Sequence, residues 1–272
     1  MIGPVTSVPV VRVRAGHLMT ENDRVASEEP LELRIHGRPF AVIMRTPGAD
    51  RELAAGFLLA ERVLRSADDL GTIERCLDSS SNHAANVINV TMAGGLDERV
   101  EAALTSQRRV TTTASCGMCG RLTIDSLRTD ATPLPSDTRV SPSVIAGLPT
   151  QLNREQAIFA KTGGLHAAGL FTLDGRLDAM AEDVGRHNAV DKVVGRKLMV
   201  DTLPLPASVL FVSGRTSFEI VQKALFAGIP IVAAVSAPSS LAINLALEMR
   251  ITLIGFVRDN GFNIYSHPER IV

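Results

Sequence analysis

Cys116 and Cys119 stand three positions apart in TTTASCGMCGRLTI, among small and hydroxylated residues. Two thiols at that spacing can hold a metal, form a reversible disulfide, or carry sulfur as a persulfide that the second thiol resolves. A structural zinc needs four ligands, usually from a second close pair. The chain has 3 Cys and 6 His, and neither Cys76 nor any His stands at partner spacing, so no metal ligands are assigned. A thioredoxin-like dithiol opens a helix after a strand, whereas Gly117, Gly120 and the preceding Thr run point to an exposed loop. Arg121 is placed to favour a thiolate as readily as to sit in solvent. Spacing alone therefore leaves the redox and sulfur-transfer readings open, and Cys76, standing alone, is given no role.

A second concentration of polar chemistry lies in AEDVGRHNAVDKVVG, with Glu182, Asp183, Arg186, His187, Asp191 and Lys192. Asp183 is the expected N-cap of the helix that follows. The stretch reads equally as a charged, solvated helix start and as a cluster facing a ligand. Thr162, Gly163, Gly164 and His166 precede an apolar strand, where a histidine is more often buried structure than catalyst. Neither GxxxxGK[ST] nor GxGxxG occurs, so no P-loop or dinucleotide fingerprint is claimed.

The elements that position these residues change character along the chain. VPVVRVR, LELRIHG and FAVIMRT read as strands with a turn at His36, Gly37 and Arg38, followed by a helix in ADRELAAGFLLAERVL capped by Asp50. NVINVTM is a strand and LDERVEAALTSQ a helix, so residues 1–128 form a smaller α+β domain that ends in the cysteine loop. The Pro, Ser and Thr richness of residues 129–149 marks a linker. In residues 150–272, LNREQAIFAKTGG is a helix stopped by its glycines, and two strands flank the Asp174-Gly175 turn. Then VLFVSG, IPIVAAVS and ITLIGFV alternate with FEIVQKALFAG and SSLAINLALEMR. Short apolar strands separated by helices predict an α/β domain with a mostly parallel sheet covered on both faces. Ligands of such sheets bind at strand carboxyl ends. Here those ends carry Ser213, Gly214, Arg215 and Thr216, then Ser236, Pro238, Ser239 and Ser240, then Arg258, Asp259, Asn260 and Gly261. The Ser, Gly and Arg of SGRTS suit phosphate oxygens.

With 272 residues, 45 % apolar and 21 % charged, the chain buries a large core. A formal net charge of −1 gives no general field for nucleic acid or an anionic membrane. The start, MIGPVTSVPVVRVR, lacks the pattern of a secretory signal, and the weakly polar run ALFAGIPIVAAVSA is too short to span a bilayer. A cytoplasmic protein is expected, with neither nucleic acid nor membrane as partner.

Taken in order, ASCGMCGR, KTGGLHAAGLF, EDVGRHNAVDKVVG, SGRTSFEIVQKALFAGIPIVAAVSAPSSLAI and GFVRDNGFNIYSHPERI resemble the formate dehydrogenase accessory sulfurtransferase family. The likeness runs from about VPVVRV to the end. It implies a homodimeric sulfur carrier that takes persulfide sulfur from a cysteine desulfurase. The sulfur passes to the molybdenum or tungsten bis-guanine-dinucleotide cofactor (Mo-bis(molybdopterin guanine dinucleotide) in the former case) needed by formate dehydrogenase, and a guanine nucleotide would mimic that ligand. The family's persulfide cysteine maps to Cys116, with Cys119 as its CxxC partner, and its cofactor-contacting segment to Phe256, Val257, Arg258, Asp259, Asn260 and Gly261. The resemblance also implies a C-terminal three-layer domain like the cytidine deaminase fold. Deamination itself is not expected, because His166 is followed by Ala167 and Ala168 where a zinc deaminase has H-x-E, and the CxxC lies upstream of it. Two other readings remain: a chaperone that binds the cofactor without sulfur chemistry, and a CxxC dithiol oxidoreductase.

Overall fold

A computed structural model describes residues 3–76, 86–107, 131–135, 137–258 and 261–272. The chain begins in an antiparallel ribbon of β1 (Val5–Arg14) and β2 (His17–Ala26). HLMTENDRVA is too polar to be legible as a strand. It pairs because β1 offers a partner along its whole length, and Arg12 meets Glu21 and Asp23 across the ribbon. β3 (Glu29–Ile35) and β4 (Arg38–Arg45) then form the expected hairpin, with His36 and Gly37 at φ 48° and 78°. With β5 (Leu70–Arg75) and β6 (Val87–Met92) they make a four-stranded sheet of order β4-β3-β6-β5.

α1 (Asp50–Ala60) and α2 (Glu98–Gln107) follow the predicted helical spacing. Asp50 is not the cap of α1: Ala49, at φ 51°, takes that place without a side-chain bond. The Asp50 carboxylate instead accepts from Arg45 Nε at 2.9 Å and Arg75 Nη2 at 2.6 Å, because a buried anion is better compensated by guanidinium groups than by helix amides. The expected linker is also corrected. Residues 142–149 belong to α3 (Pro142–Glu155), and the Ser and Pro that suggested a linker are its start signal, with Ser141 accepting from Ser143 N–H and Pro142 in the first turn.

α4 (Phe159–Thr162) ends at Gly163, whose φ of 65° supplies the left-handed cap. β7 (His166–Thr172), β8 (Leu177–Asp183), β9 (Ser208–Val212), β10 (Ile231–Ala234), β11 (Thr252–Arg258) and β12 (Gly261–Ser266) form a six-stranded sheet of order β12-β11-β10-β9-β7-β8. Only the three predicted apolar strands, β9, β10 and β11, run parallel. α5 (Arg186–Met199), α6 (Phe218–Phe226) and α7 (Ser240–Glu248) cover one face, and α3 the other. The alternation shows in β9, where Leu210 and Val212 join the α5–α7 side while Val209 and Phe211 pack with Ile145, Leu148 and Leu152 of α3. No helix among the described residues is long and apolar enough to cross a membrane.

The two sheets are joined through a close crossing of α1 and α5, and one core cluster includes Leu33, Leu53, Leu58, Val190, Val194 and Leu210. A Cβ on Gly56 would lie 2.0 Å from the Asp191 carbonyl oxygen, and one on Gly195 1.9 Å from that of Glu52. Only hydrogen at both positions permits backbone-to-backbone approach. Gly195→Ala should therefore destabilise the protein by on the order of 3 kcal/mol despite alanine's higher helix propensity. Urea denaturation checks this, and an unchanged midpoint would mean that the helices separate at no cost.

Candidate functional site

β7 runs antiparallel to β9 and β8 to β7, which sets His166 and Asp183 side by side near the carboxyl end of β9. α5, α6 and α7 begin at the same edge. Many of the hydroxyl and amide groups expected to face a ligand there hold the edge together instead. Ser213 Oγ accepts from Ala167 N–H at 2.8 Å, Ser239 Oγ caps α7, and Thr216 exchanges backbone bonds with Ala237 and Ser239.

Asp183 is fully buried, and it is not the cap of α5, which begins at Gly185. Its carboxylate accepts from Thr46 N–H (3.1 Å), Gly185 N–H (2.8 Å) and Asn188 Nδ2 (2.9 Å), and it pairs with Lys192 Nζ at 2.7 Å. Lys192, also buried, donates to the Thr46 carbonyl at 2.9 Å. Asp191, which precedes Lys192, is met from α6 by Lys223 at 2.6 Å. Asp183, Asp191 and Lys192 of this charged stretch are therefore buried and paired, and they join the α5 start to the loop before α1. Arg186 differs: it is partly exposed, and its Nε has no hydrogen-bond partner among the described residues.

Beside this cluster opens a cavity of about 800 Å³. Its walls are Pro149, Thr150, Leu152, Asn153, Arg154 and Gln156 from α3 and its end, Phe159 of α4, Gly163 to His166, and Phe211, Ser213 and Val235 from the sheet. Glu182 fixes the α4 wall, accepting from the N–H groups of Ile158 (3.0 Å) and Phe159 (2.7 Å). The His166 pKa is lowered, first by burial and then by Arg186 and His187, so its ring is neutral at pH 7. His187 Nε2 lies 2.9 Å from Ser217 Oγ and 3.7 Å from Glu219. Burial would raise the Glu219 pKa, but bonds from His187, Ser217 and its own N–H bring it down to about 2.

Cys116, Cys119, Asp259 and Asn260 lie outside the described residues. Phe256, Val257 and Arg258 end β11, and Gly261 opens β12, with Arg258 paired to Gly261 in a hairpin. Val257 is 1 % exposed and packed into the α3-side core, whereas Phe256 and Arg258 are exposed. None of the four lines the cavity. Sequence reasoning missed Arg154, Gln156, Phe159 and the anchoring role of Glu182. The polar residues interrupting the apolar spacing of LNREQAIFAKTGG were the available signal.

The chain that leaves the cysteine segment returns to the fold at the other side of the sheet. Leu134 N–H donates to Met249 O, Thr138 Oγ1 to Pro206 O, and the buried Arg270 to Pro135 O at 3.1 Å. Pro206 precedes β9 and Met249 precedes β11, so these contacts mark the amino edge of the parallel strands. The five residues of β9, at about 3.3 Å each, put that edge about 16 Å from the carboxyl edge.

The sequence profile of the FdhD/NarQ family matches residues 26–272. A "Sulfur carrier protein FdhD" from Streptomyces avermitilis is 50 % identical over 267 residues, covering 96 % of this chain and 94 % of its own length. Its namesake from Mycolicibacterium paratuberculosis is 46 % identical over 266 residues, covering 96 % and 97 %. The crystal structure of a formate dehydrogenase accessory protein from Desulfotalea psychrophila superposes with a TM-score of 0.77 at 26 % identity, over 98 % of this chain and 99 % of that one.

The titrations at this edge contribute to the acid sensitivity of the fold. An acid whose pKa falls from 4.5 to about 2 on folding stabilises the folded state fully above pH 4.5 and loses that contribution as pH falls toward 2. For Glu219, partly exposed and so partly screened, this is on the order of 1–2 kcal/mol. His166, a base with a lowered pKa, acts in the same direction, because below about pH 6.5 the unfolded chain takes up a proton that the folded one resists. Denaturant unfolding at stepped pH should show stability falling through both windows, with Glu219→Gln flattening the one between pH 4.5 and 2. An equally steep limb in that variant would remove Glu219 from the account.

Proposed function

The chain belongs to the FdhD/NarQ family, and from that membership we propose that it is a sulfur carrier in the maturation of a formate dehydrogenase. The observation that carries the reading is the near-complete, 50 % identical match to a protein named for sulfur carriage. The likeness to a formate dehydrogenase accessory protein supports the choice of client. In the finer form of the proposal the chain acts as a cytoplasmic sulfurtransferase. Cys116 thiolate attacks the outer sulfur of a cysteine desulfurase persulfide; the donor S–S bond breaks, a new one forms on Cys116, and the donor thiolate leaves. Cys119 attack on the inner sulfur of Cys116 then expels the terminal sulfur as sulfide and leaves a disulfide.

The acceptor would be the molybdenum bis-guanine-dinucleotide cofactor as cargo, its nucleotide end held at the carboxyl edge of the six-stranded sheet. The cavity there supports this, since it combines an exposed guanidinium, a partly exposed aromatic ring and glycine backbone in a volume suited to a nucleotide. The segment Phe256 to Gly261 would extend that surface, with Arg258 as a second phosphate contact. A six-stranded sheet with helices on both faces agrees with the cytidine-deaminase-like architecture of the resemblance. Twelve Cα–Cα steps separate Cys119 from Ala131, enough for at most about 40 Å. That reach exceeds the depth of the sheet, and a homodimer would offer a second route.

Incubation with a cysteine desulfurase and cysteine, followed by intact-protein mass spectrometry, should add about 32 Da, the mass of one sulfur, to the wild-type chain. Cys116→Ala should remove the adduct and Cys119→Ala should keep it. An adduct that survives Cys116→Ala would sink the assignment, and formate dehydrogenase maturation by a chain lacking both thiols would favour the chaperone reading.

A further inference from the structure

The β1–β2 ribbon is a ladder of ten residue pairs that is tied to the rest of the fold at its base. There Ser27 N–H donates to Pro4 O at 3.0 Å, the Thr6 and Ser27 hydroxyls lie 2.7 Å apart, and α4 packs against β2. Toward the turn at Ala15 and Gly16 the cover is lost, and every residue from Val13 to Thr20 is exposed. A two-stranded ribbon standing alone is marginally stable in water and gains stability from a further layer.

Alternate pairs of an antiparallel ladder share a face, and the two faces of this one differ. On one, Arg12 meets Glu21 at 2.7 Å and Asp23 at 3.1 Å, with Val8 and Val10 half-buried beside them. The other carries the pairs Val13–Leu18, Val11–Thr20 and Pro9–Asn22, all exposed, and its single charge is Arg24 near the base. On it Val11, Val13 and Leu18 are 64 %, 64 % and 74 % exposed. An apolar patch depleted of charge is the composition of the centre of a protein interface.

We propose that the ribbon is an arm with which two copies of this chain embrace, each laying its uncharged face on the body of the other. Area selects this arrangement. One face of a ladder ten pairs long measures about 33 Å by 10 Å, or about 330 Å². Two ribbons stacked on each other would bury about 660 Å² in total, too little for a stable pair, whereas two arms each laid on the other body would bury about 1,300 Å², within the range of stable dimers. Every copy brings one arm and one receiving surface, so a two-fold axis satisfies both arms at once. The family profile begins at residue 26, so the arm precedes the part of the chain that defines the family, and the inference does not rest on the sulfur-carrier reading.

Sedimentation equilibrium of the full chain tests it. The wild-type protein should sediment at twice the 29.0 kDa chain mass. Val13→Glu and Leu18→Glu should each raise the dimer dissociation constant by at least about tenfold, because each places a charge in the contact. Met19→Glu lies on the opposite face, next to Leu18 in the same strand, and should change the constant by less than about threefold. A ribbon that had merely unfolded would respond alike to Leu18→Glu and Met19→Glu. Benzoylphenylalanine in place of Leu18 should cross-link on illumination to the second chain, at residues C-terminal to its ribbon. A monomeric wild-type chain overturns the proposal and leaves the arm to a different protein. A dimer indifferent to Val13→Glu and Leu18→Glu, equal weakening by Met19→Glu, or cross-links confined to the second ribbon would each overturn it as well.

Discussion

The contact on which the rest depends is the approach of α1 to α5, where Gly56 and Gly195 let backbone meet backbone. Because α1 lies so close, Asp183, Asp191 and Lys192 are shut off from water and must find partners inside the protein. They find them in Lys223, in each other and in the backbone of Thr46. The four-stranded and six-stranded sheets thus meet through a polar cluster as well as an apolar core. Glu182, next in sequence to Asp183, extends the same cluster to the wall of the cavity. The shape of the cavity is in this way tied to the loop before α1, far from it in sequence.

The two edges of the six-stranded sheet are built differently. Its carboxyl edge carries the cavity, with neutral polar groups inside and Arg154 at the rim. Its amino edge receives the chain that follows the cysteine segment, held through Leu134, Pro135 and Thr138. The buried Arg270 has no ion pair among the described residues, and its guanidinium bonds Thr252 and the carbonyl of Pro135.

What could be read from the sequence was what periodicity and turn chemistry determine locally. The β3–β4 turn, the burial of Leu53, Phe57, Leu58 and Leu64, and the three parallel strands follow from residue order alone. β2 did not, since its pairing comes from β1 and not from its own pattern. Asp50 and Asp183 had the right type for helix caps, but Asp50 is taken by Arg45 and Arg75, and Asp183 keeps one local amide, Gly185 N–H, while pairing with Lys192, and no local signal distinguishes these outcomes from capping. Ser141 and Pro142 mean either a linker or a helix start, and the apolar spacing of Ile145, Leu148 and Leu152 was the deciding signal left unused. Glu182 acquires its role only when α4 and β8 meet.

The central claim is that sulfur on Cys116 reaches the client enzyme, and the most direct measurement is formate oxidation by a formate dehydrogenase purified from cells lacking this chain. Addition of the persulfide-loaded wild-type chain should restore activity in proportion to the persulfide supplied, while Cys116→Ala given the same desulfurase and cysteine should restore none. Equal restoration by Cys116→Ala, or by the wild-type chain stripped of its persulfide, would contradict the account.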